Sequence, residues 1–397
     1  MSPAGVRTSG RPGAVVVGGD YQGLGIVRSL GRRGVQVVVL DDEHSISRHS
    51  RYTVGSYRVR DLSDDDQTVG ALLDLTRRHD VSGWVVYPTR EETVAALSRH
   101  RPQLLEHYRI PTPEWSVTQW AWDKRNTYRR AAELGIPTPR TWLISGEDEL
   151  AAIDGQPPYV IKPAIKEHFF YATKCKAWRA DTREELAVRF RAAADLVGSA
   201  EVVVQELIPG GGETQLAYCA FFKHDDSLAG MVVNRLRQHP VDFGRASTFV
   251  RTVNVPALEE TSVRFLRSIG YYGLVELEYK YDARDGLTKL LDINARTWGY
   301  HSIGQRAGVD FPYLLYLDQV GLPVPGGLGA EPGISWIRLA TDVPTAALEL
   351  ARRRLDWRAY LRSLRVCDIE SVFSHDDPRP GFAELALLPY LAIKRGI

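Results

Sequence analysis

The stretch Leu290-Leu291-Asp292-Ile293-Asn294-Ala295-Arg296 limits what this chain can fold into more than any other. Its apolar residues predict a strand, and on a strand Asp292, Asn294 and Arg296, spaced by two, project from one face. A carboxylate, an amide and a guanidinium are costly to bury beside Leu, Ile and Ala unless a ligand satisfies them. The oxygens of Asp292 and Asn294 are hard donors suited to magnesium, and a guanidinium suits a phosphoryl or carboxylate group. Much of the remaining chain reads as scaffolding for that strand.

At 397 residues there is room for two or three domains and a sizeable core. Hydrophobic residues at 44% and charged residues at 25% are ordinary for a soluble globular protein. A formal charge of +1 argues against a nucleic-acid or membrane-surface role, so any basic site must be local. Cys175, Cys219 and Cys367 lie far apart without paired spacing, which disfavours a disulfide framework or thiolate metal site and points to a reducing cytoplasm. Residues 1–13, rich in Ser, Pro, Gly and Arg, read as a short disordered leader, and no apolar run approaches a membrane span.

A β-branched run at 14–17 enters Gly18-Gly19-Asp20-Tyr21-Gln22-Gly23-Leu24-Gly25, a helical pattern follows, and a second strand at 35–40 closes on Asp41-Asp42. This predicts the βαβ opening of a doubly wound sheet. As a dinucleotide signal it is weak, because Asp20 stands where the second glycine would let pyrophosphate approach. Residues 89–92 follow a strand at 83–87 and are candidates for substrate contact, with a helix capped by Thr89 as the equal alternative. Pro111-Thr112-Pro113 marks a boundary, after which Asp123 caps a helix running through Ala132. Lys162 sits in the apolar body of a strand at 159–163, and a linker carrying Lys166, Lys174 and Lys176 leads to a helix at 182–196. A strand at 202–205 runs into Glu206-Leu207-Ile208-Pro209 and a triple glycine before Glu213. Glu276 and Glu278 share one face of a strand that a hairpin joins to the strand ending at Asn294. The tail reads as helical and amphipathic, without a catalytic pattern.

In order, Asp123-Lys124, Val160-Ile161-Lys162-Pro163, Gln205-Glu206-Leu207-Ile208-Pro209-Gly210, Leu277-Glu278-Tyr279 and Asp292-Ile293-Asn294-Ala295-Arg296 resemble the motifs of the ATP-grasp superfamily. The likeness covers residues 14–323 and is strongest to the carboxylate-amine ligase branch that includes D-aspartate ligase-like enzymes. It implies an α/β (α+β) ATP-grasp fold: a doubly wound pre-ATP-grasp domain at 14–112, two ATP-clasping subdomains at 113–204 and 205–326, and a helical C-terminal extension at 327–397.

The resemblance also implies roles. Lys124 and Lys162 would face the phosphates of ATP, with Lys176 as a further contact. Gln205, Glu206, Leu207 and Ile208 would read adenine through the backbone, and Glu213 would hold the ribose. Glu278, Asp292 and Asn294 would bind Mg2+, with Glu276 either beside them or exposed. Arg296 would stabilise the transferring phosphoryl group, Arg235, Arg237 and a loop at 242–247 would contact substrate or phosphate with Arg245 foremost, and Trp298, Tyr300 and His301 would line the acceptor site. Two departures stand out: no glycine lies between Lys162 and Lys176, and Asp292 replaces the commoner glutamate.

The implied reaction is ligation of a small carboxylic acid, an amino acid for instance, to a free or carrier-borne amine through an acyl-phosphate. Neither nucleic acid nor membrane is an expected partner, and a homodimer is compatible. Two alternatives are an NAD(P)-dependent oxidoreductase built on the first βαβ unit and a non-catalytic ATP-binding module.

Overall fold

The computed structural model describes residues 10–395 apart from 174, 242 and 245, and leaves the side chains of 166, 170, 171 and 391–395 unplaced. Four short strands open the chain: β1 (Ala14–Val17), β2 (Val37–Asp41), β3 (Thr53–Arg58) and β4 (Val85–Pro88) form a parallel sheet in the order β3-β2-β1-β4. β1, β2 and β4 are buried on both faces, as near-continuous Val runs require in a parallel sheet covered by helices. Those helices are α1 (Tyr21–Gly31), α2 (Asp65–Arg78), α3 (Glu91–Arg99) and the short α4 (Arg101–Leu105). Gly18 turns the chain from β1 into α1 at φ +94, where a Cβ would strike the Thr89 hydroxyl. Thr89 does not cap α3: its hydroxyl donates to Val17 O at 2.9 Å, and Arg90 takes the capping position.

Helices α5 (Trp115–Trp122) and α6 (Lys124–Glu133) follow, the second capped by Asp123 accepting from Arg125 N at 2.9 Å. A small antiparallel sheet, ordered β5-β8-β6-β7, is made of β5 (Thr141–Leu143), β6 (Tyr159–Pro163), β7 (Trp178–Ala180) and β8 (Val202–Glu206). The expected linker after β6 is in fact helix α7 (Lys166–Thr173), which with α8 (Arg183–Val197) packs on this sheet. Phe169 of α7 explains the difference, since it is buried in the same core as Phe190 and Leu186.

The large sheet runs β13-β12-β9-β10-β11-β15-β16. Its members are β9 (Gln215–Lys223), β10 (Asp226–His239), β11 (Ala246–Val253), β12 (Gly273–Asp282) and β13 (Leu287–Asn294), with α9 (Pro256–Ser268) between β11 and β12. Short α10 (Ile303–Arg306) and α11 (Phe311–Gln319) come next. The tail is mostly helical and also adds strands: β14 (Leu328–Gly329) beside β10, then β15 (Ser335–Ile337) and β16 (Ile369–Glu370) at the sheet edge. Between and after these lie α12 (Leu339–Ala351), α13 (Trp357–Arg365) and α14 (Arg379–Arg395).

One core joins the parallel sheet to the large sheet, with Val16, Val39 and Tyr87 packed together with Cys219, Met231, Trp298 and Trp336. On the other face of the large sheet Val275, Leu277, Tyr279, Leu290 and Ile293 pack beneath α9. No helix among the described residues is long and apolar enough to cross a membrane.

Candidate active site

Strands β12 and β13 pair so that Glu278 lies opposite Asp292 and Glu276 opposite Asn294. Because the intervening Leu277 and Ile293 enter the core, these four polar side chains share the other face. A bulge falls between Glu278 and Tyr279, leaving Leu291 as the extra residue beside Asp292. Both Leu291 and Asp292 line a cavity of about 480 Å³ between the small and large sheets. Expected to be mere apolar flank, Leu291 is thus part of the site wall.

The opposite wall carries the cations. Lys124, at the start of α6, places its ammonium 2.7 Å from Asp292 Oδ1. Burial opposes that charge, but Asp292 outweighs it and Lys124 stays protonated above its ordinary range. Lys162 lies on β6 with its ammonium 2.5 Å from the Tyr128 hydroxyl. Burial, helped by the like charge of Lys124, brings its pKa down to about 7. Lys176 and Arg179 also line the cavity, and Arg179 carries no motif that would have singled it out.

At the mouth between the sheets, Gln205, Glu206, Leu207, Ile208 and Pro209 form the cavity edge. The side chains of the first two are already engaged: Gln205 Nε2 donates to Thr141 Oγ1 at 2.7 Å, and Glu206 accepts from Arg284 at 2.7 Å and Lys289 at 3.1 Å. Glu213 is not among the lining residues; its carboxylate accepts from Gly211 N at 2.9 Å, whereas Gln215, Gln238 and Lys280 do line the space.

Glu278 is paired with Arg235, Nη1 to Oε2 at 2.6 Å, and Asn294 Nδ2 donates to Glu278 at 3.1 Å and Glu276 at 3.0 Å. Glu276 is not exposed; burial and then the charge of Glu278 push its carboxyl up to about 7, and the Tyr300 hydroxyl donates to it. Arg296 spans 2.7 Å to Glu91 at the start of α3, so the strand-end segment at 89–92 meets the motif strand directly. Arg235, expected to contact substrate or phosphate, lies on β10 and instead pairs with Glu278, a contact that depends on pairing across β10, β9 and β12.

Trp298, Tyr300 and His301 do not line an acceptor site. All three are buried, and His301 bonds Trp298 O through Nδ1 at 2.9 Å while its other edge lies against Gly25. Burial lowers its pKa to about 4, so it is a neutral packing residue. Arg237 faces away too, gripping Asp342 of α12. Arg245 lies outside the described residues. In the N-terminal crevice Asp41 accepts from Gly19 N at 2.7 Å and pairs with Arg90 at 3.2 Å, so the groups a dinucleotide would recruit hold each other.

The donor set on the β12–β13 face consists of oxygens from Glu278, Asp292 and Asn294, which fits magnesium. Among the described residues no three His, Cys, Asp or Glu side chains form a cage. Magnesium is commonly held by one or two carboxylates plus substrate phosphates, which this open face with its neighbouring cations would accommodate.

No family model matches the sequence. Over 215 residues the chain is 28% identical to the D-aspartate ligase of Enterococcus faecium (strain Aus0004), a match that takes in 50% of this chain and 50% of that protein. The chain therefore aligns with about half the length of this relative. The structure of an L-amino acid ligase from Bacillus licheniformis superposes with a TM-score of 0.60 at 16% identity, covering 79% of this chain and 75% of that one. The ADP complex of N5-carboxyaminoimidazole synthetase from Staphylococcus aureus gives 0.62 at 15% identity, covering 88% of each. With its small sheet, large sheet and intervening cation-lined cleft, the chain has the ATP-grasp fold of these two structures, and over about half its length its sequence is similar to the D-aspartate ligase.

Proposed function

We propose that the protein is an ATP-dependent, ADP-forming carboxylate-amine ligase. The observation that carries this reading is the cleft itself: Lys124 and Lys162 on one wall face Glu278 and Asp292 on the other, with Asn294 bonded to Glu278 beside them, next to a peptide edge at 205–209. A carboxylate is a poor electrophile at neutral pH, so joining it to an amine needs activation. In the reaction supported here, a carboxylate oxygen attacks the terminal phosphorus of ATP and ADP departs. The amine nitrogen then attacks the acyl carbon, phosphate leaves, and the nitrogen loses a proton.

Lys124 and Lys162, already held by Asp292 and Tyr128, would bind and neutralise the phosphates with little reorganisation, and Lys176 would add a further contact. Arg296, oriented by Glu91, would face the transferring group. Magnesium, held by Glu278, Asp292 and Asn294, would neutralise charge on the terminal phosphates. The protein's contribution is positioning and charge; no covalent nucleophile is called for. An amino acid is the preferred acid, supported by the D-aspartate and L-amino acid ligases it resembles.

The test is a matrix of amino acids and amines incubated with ATP and magnesium, read by phosphate release and product mass. ADP and phosphate formed in step with an amide, only when acid and amine are both present, would support the reading. Tight binding of a nicotinamide cofactor with indifference to ATP would sink it, and ATP binding without turnover of any pair would favour the non-catalytic module.

A further inference from the structure

Between Arg352 and Arg365 the chain carries six arginines, Arg352, Arg353, Arg354, Arg358, Arg362 and Arg365, against one acid, Asp356. That segment alone is +5, six less one, in a chain whose total is +1, so the balance of the whole conceals one concentrated basic patch. All six arginines are exposed. Arg352 pairs with Glu349 at 3.4 Å, and no carboxylate among the described residues pairs with the other five.

The inward face of α13 is fixed by its contacts. Tyr360 is buried with its ring 5.1 Å from the Arg237 guanidinium, and Ser363 accepts from Arg237 at 3.0 Å. At 3.6 residues per turn, Trp357 and Leu361 then fall together on one outward flank, with Arg358, Arg362 and Arg365 beside them. Trp357 is 57% exposed, Leu361 41% and Val366, just past the helix, 51%. Exposed apolar residues are normal singly, but an indole and a leucine set one turn apart along a row of unpaired arginines are not.

We propose that the face of α13 with the end of α12 docks on an anionic lipid bilayer. Arginines would contact lipid phosphates while Trp357 and Leu361 enter the headgroup boundary, the division of labour seen in interfacial helices. The indole and leucine favour a bilayer over nucleic acid, which recruits arginine without needing aliphatic insertion. The docking is peripheral and does not rest on the ligase reading.

The test uses the full chain and sedimentation with vesicles of phosphatidylcholine alone or of equimolar phosphatidylcholine and phosphatidylglycerol. Binding to the second and not the first is expected, with loss in high salt. Double charge reversal, Arg358→Glu with Arg362→Glu, is expected to weaken binding by at least about tenfold while leaving ATP turnover and melting temperature unchanged. Trp357→Phe should remove most of the fluorescence quenching given by brominated lipid tails. Absence of phosphatidylglycerol-dependent binding, or binding indifferent to the charge reversal, would overturn the proposal. So would retention on RNA or an acidic polypeptide without binding to vesicles.

Discussion

Lys162 has its ammonium beside the Tyr128 hydroxyl and a pKa of about 7, lowered by burial and then by Lys124. Triphosphate binding next to it would restore the charged form. The sign follows directly: below pH 7 Lys162 already carries its proton and binding takes up none, whereas at pH 8 binding draws a proton from solvent. Titration calorimetry of ATP in buffers of different ionisation enthalpy should therefore show most of a proton taken up at pH 8 and little at pH 6, and Lys162→Met should abolish both the uptake and ADP formation. Equal uptake at the two pH values would remove Lys162 from the phosphate site. Asn294 presents one amide to Glu276, Glu278 and Arg296. Asn294→Ala is expected to cut kcat by about 100-fold and raise the magnesium concentration for half activity, leaving the melting temperature within a few degrees. Unaltered magnesium dependence would argue that this face does not hold the ion. Such polar residues are legible in sequence because apolar neighbours at a period of two make them stand out. The pairing of Arg235 with Glu278 was not, since that partner lies on a distant strand, and Arg179, whose carboxylate partner is the nearby Asp181, has nothing local to mark it as lining the cavity.

At the scale of elements, the strand–hairpin–strand around Glu278 and Asn294 follows from alternation and a polar loop, and it forms as expected. The bulge at Leu291 does not follow, because an extra residue leaves no mark in composition. Helix α7 was hidden for a different reason: its helical pattern is weak, and tertiary burial of Phe169 decides it. Helix α12 holds the end of β10 through Asp342, fully buried, whose two oxygens accept from Arg237 at 2.8 and 2.9 Å and whose Oδ1 also accepts from Thr248 at 2.7 Å. Gln238, the next residue, lines the cavity. Asp342→Asn is expected to destabilise the fold by about 2 kcal/mol and to raise KM for ATP several-fold with kcat less affected. Denaturant unfolding and steady-state kinetics check both halves, and an unaltered KM would disconnect α12 from the cleft.

Across the whole molecule, the parallel sheet and the large sheet share one core, and the tail ties them together from outside. Asp377, fully buried, accepts from Arg28 Nε at 3.0 Å, from Ser50 at 2.7 Å and from Arg51 N at 2.9 Å. Asp377→Ala would strand the Arg28 guanidinium without its counter-charge, and a loss of about 3 kcal/mol, visible as a lower melting temperature, is expected. This strap was illegible in the sequence, since its pairs join residues more than 300 positions apart and no periodicity reports them. The order of the five motifs was legible because four combine a polar group with an apolar strand and the first, Asp123-Lys124, opens a helix. The cleft they build is proposed to pass a phosphoryl group from ATP to a carboxylate, and oxygen transfer tests that step. With an acid substrate labelled with heavy oxygen in its carboxylate, turnover should place one labelled oxygen in each phosphate released. Unlabelled phosphate, or AMP and pyrophosphate in place of ADP and phosphate, would contradict the acyl-phosphate route.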